Sequence, residues 1–261
     1  MGMMIHEFTL NGINSRDLGV YIRSKQVFDK PQKNISYISV PGRDGDLIVD
    51  NGDFKSNLDI TLGLRMFAPQ LTDDKQSNFN MAYRKIVNWL SPSANYYIYS
   101  DTYDTEYYRL ASVKSALKVT QQHYDVADFS VTLSCKPYKY RWDGDAVITL
   151  DGANANSLTI YNPEDSESLP IIKVYTSVVY DAQANVSHSF VLNGTTYTIT
   201  QINNNCTIDS EMMNVYHGAV NKNKNYQQTE FPKLIPGTNT LSLVNNGNVS
   251  KIEVTPRWRA I

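Results

Sequence analysis

The residues best equipped for chemistry are few and poorly spaced for it. Cys135 and Cys206 are the only cysteines, 71 residues apart, and neither has a second Cys or a His at ligand spacing, so no metal centre is expected. Both read as buried strand residues with free thiols. His6 and His123 fall at expected strand edges, His188 and His217 beside turns, and each reads as a surface or packing histidine. There is no G-x-S-x-G, no H-E-x-x-H, no G-x-x-x-x-G-K-[ST] and no paired C-x-x-C. The chain has 26 Asp and Glu, but nothing in their spacing singles out a glycosidase-like pair. The expectation is a protein without a catalytic group, a cofactor or a resident metal.

Three denser segments invite other chemistry. In Gly42 to Phe54, Asp44, Asp46, Asp50 and Asp53 crowd together, but Ile48 stands where a calcium loop needs its third oxygen ligand and Val49 where it needs glycine. The segment reads instead as a turn between strands. Pro41 presets it, Gly42 and Gly45 relax the backbone, and Arg43 and Asp44 offer both signs of charge, so Pro41, Gly42, Arg43, Asp44 and Gly45 are candidate subunit or partner contacts. Six tyrosines fall between Tyr96 and Tyr108. Tyrosine gives a large contact area at small entropic cost, so Tyr97, Tyr99, Tyr103 and Tyr107 are candidate contacts too, for a protein or a sugar, against the alternative of ordinary cross-strand packing. Arg257-Trp258-Arg259 could stack on a nucleotide, but with a net charge of −2 and no basic stripe a strand end is the better reading, and no nucleic-acid partner is expected.

The elements that must position these residues are mostly strands. Leu58, Ile60, Leu62, Leu64 and Met66 alternate with Asp59, Thr61, Gly63 and Arg65, the period of a half-buried strand, and Phe129, Val131 and Leu133 repeat the pattern within Ala127 to Cys135. Ile5 to Leu10 runs into Asn11-Gly12, and Ser189 to Ile199 is interrupted by Asn193-Gly194, both signals for a two-residue hairpin. Asn95 to Ser100 and Glu106 to Leu110 form a further hairpin. One stretch reads as a helix, about 72–90. Thr72 can cap it, Asp73 and Asp74 suit its positive end, and Phe79, Ala82, Tyr83, Ile86, Trp89 and Leu90 share one stripe before Ser91-Pro92 stops it.

At 261 residues the chain is long enough for two ordinary domains. A composition shift divides it: residues 1–144 carry 17 basic and 16 acidic groups with 9 Asn, whereas residues 145–261 carry 7 and 10 with 16 Asn. The second part has short strands every 8–12 residues or so, the rhythm of a sandwich. Its strands are expected at Ile171 to Val179, Ser189 to Ile199, Asn239 to Val244 and Val249 to Thr255. No run of apolar residues is long enough to span a bilayer, no secretory leader is visible, and His6 stands where a myristoylation motif needs Ser or Thr. The five N-x-[ST] triplets are what 25 Asn supply by chance.

Several segments taken in order carry a resemblance: FTLNGINSRDLGVYI, VPGRDGDLIVDNGDFKSNLDITL, the helix ending in IVNWL before the Tyr-rich hairpin, FSVTLSCKPYKYRW, FPKLIPGTNTLSL and VSKIEVTPRWRAI. Together they resemble the distal tail proteins of long-tailed phages infecting Gram-positive bacteria. The resemblance implies a mainly β chain: an N-terminal β-sandwich with one α-helix over residues 1–141, which builds a ring of six copies, and a C-terminal galectin-like β-sandwich over 142–261. It implies a structural hub in the virion tail, assembled in the host cytoplasm, with itself, the tail-tube protein and the tail-tip, baseplate or receptor-binding proteins as partners, and no membrane. The alternative from a different class is a carbohydrate-binding module or adhesin for host attachment.

Overall fold

The structure is a computed structural model that describes residues 6–25, 30–114, 117–178, 186–245 and 247–261, without the side chains of 51–54 and 118. Among the described residues the chain is mainly β with one α-helix, and it divides into two compact units, one running to Lys139 and including Ile261, the other Tyr140–Ala260.

In the first unit, β1 (Phe8–Leu10) and β2 (Ile13–Asn14) form the hairpin signalled by Asn11-Gly12, whose φ angles of 53° and 74° are those of a primed turn. There follow β3 (Val20–Lys25), β4 (Lys33–Ile38), β5 (Leu47–Lys55), β6 (Leu58–Phe67), β7 (Tyr97–Asp101), β8 (Asp104–Val113), β9 (Lys118–Gln121) and β10 (Val126–Arg141), the last two residues of which belong to the second unit. The main sheet runs β2-β1-β7-β8-β10-β6-β3, with β9 also on β10. Its ends meet, because the Ile22 amide of β3 donates to the His6 carbonyl (2.8 Å) just before β1. One sheet thus folds over a single core in a sandwich-like manner, with Phe8, Leu62, Leu64, Val131 and Leu133 inside. The alternation read in β6 is the observed burial pattern, and β10 registers against it from Val126↔Phe67 to Cys135↔Leu58.

Helix α1 (Lys75–Trp89) is shorter than the sequence predicted and is capped differently. Asp74, not Thr72, caps it, its side chain accepting from the Gln76 and Ser77 amides at 3.0 and 3.1 Å. Thr72 instead donates its hydroxyl to the buried Asn78, because it lies two residues outside the first turn. Phe79, Ala82, Ile86 and Leu90 enter the core and Trp89 donates its indole N–H to the Leu10 carbonyl (3.1 Å), whereas Tyr83 faces solvent.

The second unit is a two-sheet sandwich. One sheet orders β11 (Ile148–Asp151), β20 (Val249–Thr255), β13 (Ile171–Thr176), β16 (Asn205–Asp209), β17 (Asn214–His217) and β18 (Val220–Asn221); the other orders β12 (Ser157–Asn162), β19 (Gly237–Leu243), β14 (Ser187–Leu192) and β15 (Thr195–Thr200). Asn193 and Gly194 join β14 to β15 at φ 51° and 81°, again the primed turn. Of the expected strand Ile171 to Val179, Val179 lies outside the described residues. Ile172, Val174, Phe190, Ile208, Leu241 and Ile252 fill the core, which includes Trp258. Arg257, at φ 53°, turns its side chain onto Asp209 as a bidentate pair (2.9 and 3.1 Å), so Arg257-Trp258 is an interior anchor of this unit and not a nucleotide platform.

Candidate functional site

The candidate contacts fall on two features of the first unit. Pro41, Gly42, Arg43, Asp44 and Gly45 form the tip of the β4–β5 hairpin, all exposed, with Gly42 and Gly45 at φ 81° and 80° and the Arg43 amide donating to the Val40 carbonyl (3.2 Å). Positive φ is why glycine stands at both positions. Among the described strands, β4 and β5 pair only with each other. Apolar side chains line both of their faces: Tyr37 pairs with Ile48 on one and Ile38 with Leu47 on the other, and Tyr37 and Ile48 are 66% and 63% exposed. Sequence reasoning singled out the tip and missed these flanking residues, although the apolar run Leu47-Ile48-Val49 was there to find them.

The tyrosines line the β7–β8 hairpin, and the structure separates them. Tyr99 is a correction: it is 2% exposed, packs against Phe8 and donates its hydroxyl to Asp101, so it is no surface contact. Strand parity decides this, because residues 97, 99 and 101 of β7 turn toward the core while Ile98 turns out. Burial, followed by the Asp101 charge, holds the Tyr99 phenol well above its ordinary pKa. Tyr97 is half-buried beside Ser93, Tyr103 stacks on His6 with ring centres 4.0 Å apart, and Tyr107 receives the Lys139 ammonium over its ring at 4.0 Å.

Tyr99, Tyr103 and Tyr107, but not Tyr97, border a cavity of about 360 Å³ at one end of the folded sheet. Lys25 enters it and pairs with the buried Asp101 (2.6 Å); Lys139 pairs with Asp104 (2.9 Å); and Arg109, opposite Tyr99 in the register, turns its guanidinium into the same space. No spacing signal links Lys25, Asp101, Arg109 and Lys139 in the sequence. Sheet pairing alone assembles them.

The remaining predicted residues are structural. Cys135 in β10 and Cys206 in β16 are free and buried, and burial pushes their thiols up to about 12 and about 11. His188 lies inside β14 and not beside a turn, buried, with Nε2 at 2.8 Å from Thr176 Oγ1 and its pKa lowered by burial. His6 bridges to β3, His123 meets Asp125 at the surface, and His217 Nδ1 lies 2.7 Å from the Asn205 carbonyl. Among the described residues no three His, Cys, Asp or Glu side chains gather at metal-binding distance, and no helix is long and apolar enough to cross a membrane.

No family model matches the chain, and no curated protein does. Solved structures do. The chain has the fold of phage tail-hub and baseplate proteins. It is similar to the Dit protein of phage SPP1, described as a paradigm of the hub adsorption apparatus in phages infecting Gram-positive bacteria, at 11% identity and a TM-score of 0.68, over 96% of this chain and 98% of that one. It is also similar to a chain of the phage P2 baseplate in its activated conformation with Ca, at 11% identity and a TM-score of 0.51, over 96% and 97%.

Proposed function

We propose that this chain is a structural hub protein of a phage tail, forming a homohexameric ring through its first unit. The observation that carries the reading is the extent of the fold likeness: both units, in order, span nearly the whole of a hub protein and leave little of either chain unmatched. The exposed β4–β5 hairpin adds a physical reason for assembly. A two-stranded hairpin is marginal alone in water, and one that shows apolar groups on both faces gains stability when a neighbouring copy covers it. A projecting element that meets a different surface of the next copy makes a heterologous contact, which closes into a ring when the rotation closes.

In this reading the first unit is the ring body, and the galectin-like second unit meets baseplate or receptor-binding proteins. The tail-tube protein docks on the ring, the protein resides in the virion tail after assembly in the host cytoplasm, and it has no catalytic role. Light scattering coupled to size exclusion, with electron microscopy, tests this. The expected result is a hexamer or a concentration-dependent precursor of it, which the double variant Tyr37→Asp/Ile48→Asp returns to folded monomer. A strict monomer at high concentration, forming no ring even with a tail-tube protein present, overturns it.

A further inference from the structure

The cavity at the end of the first unit carries an unbalanced charge. The charged side chains that line it are Lys25, Lys30, Arg109 and Lys139 against Asp101 and Asp104, and Ile261 also borders it. Both carboxylates are already engaged: Asp101 accepts from Lys25, the Tyr99 hydroxyl and the Tyr103 amide (2.9 Å), and Asp104 from Lys139. The Nη1 of Arg109 is buried without an acceptor. Cys135, which feels the Arg109 charge, cannot neutralise it, because burial keeps that thiol protonated near neutral pH. A buried guanidinium N–H without an acceptor is costly, and the planar fork that carries it matches a two-oxygen anion.

We propose that this cavity is a binding site for an oxyanion, a phosphate or carboxylate group, held by Arg109 with Lys30 and Lys139 at the rim. The space exceeds a bare phosphate, so the anion can be carried by a larger molecule whose body rests against Tyr103 and Tyr107. This site is independent of ring formation and stands or falls separately from it.

The test is phosphorus NMR of inorganic phosphate titrated with the full chain at low salt, with acetate as competitor. The expected result is one saturable site per chain with a dissociation constant of about 1 mM, displaced by acetate. Arg109→Gln is expected to weaken phosphate binding at least tenfold and, by removing a cation whose buried Nη1 lacks an acceptor, to raise the melting temperature in oxyanion-free buffer. A purely structural arginine gives the opposite shift. If Arg109→Gln does not fold, Lys30→Gln, at an exposed position, is expected to weaken binding severalfold. Non-saturable binding, or affinity unchanged in both variants, overturns the proposal.

Discussion

Replacing Arg257 by Met asks how much of the second unit hangs on one buried ion pair. Asp209 is 4% exposed at its side chain and receives both guanidinium nitrogens at 2.9 and 3.1 Å. Removing one partner of a buried pair costs about 3–5 kcal/mol, because the other charge stays buried without compensation. Two features reduce that here. Asp209 keeps the Glu211 and Met212 amides, each at 3.1 Å, and the Arg257 side chain is 20% exposed. The expected loss is therefore about 2–3 kcal/mol, roughly 10 °C for a unit of this size. Urea unfolding of the full chain, followed by far-ultraviolet circular dichroism and Trp fluorescence, reads it. Asp209→Asn and the double variant complete a cycle, with a coupling energy of about 2 kcal/mol expected. A single-variant loss under about 0.5 kcal/mol, the usual range for surface changes, refutes the reasoning, as does a coupling near zero.

Three further outcomes follow from the same structure. Gly144→Ala should destabilise by about 2 kcal/mol or more, since a Cβ there would overlap the Trp258 amide, which is backbone and cannot swing away; thermal melting checks it, and an unchanged midpoint would show that this close approach is slack. Asp74→Ala should cost about 1 kcal/mol by removing the α1 cap, with Asp74→Ser restoring most of it, as measured by chemical denaturation. His188 has a pKa below its ordinary 6.5 in the fold because burial disfavours its charged form. The unfolded chain then binds the proton more readily, so stability should fall as pH drops through about 6.5 toward the lower folded value; melting from pH 7.5 to 5 should show that slope reduced in His188→Gln.

Local sequence determined what local physics controls. Asn11-Gly12 and Asn193-Gly194 each tolerate two successive positive φ angles, which a primed hairpin needs, and both sit in one. The alternation in β6 and β10 specified which residues face a core, and the stripe Phe79, Ala82, Ile86 and Leu90 specified the buried side of α1. The cap shifted from Thr72 to Asp74 because three neighbouring residues could all cap, and only the position of the first turn chooses among them.

What the tertiary structure decided is everything that depends on strand partnership. A row of tyrosines looks like a surface until β7 acquires neighbours, after which parity turns Tyr99 into the core. The sheet closes where His6 meets Ile22, a bond that neither residue announces. The same pairing gathers Lys25, Asp101, Arg109 and Lys139 from four strands, β3, β7, β8 and β10. The β4–β5 hairpin shows the converse: the sequence marks its tip as a turn, but the exposure of its apolar residues appears only once the main sheet has closed without them. Hydrophobic pattern gives each strand a face to bury, but which strands share a sheet is settled by contacts between residues far apart in the chain, and those contacts leave no periodic trace in it.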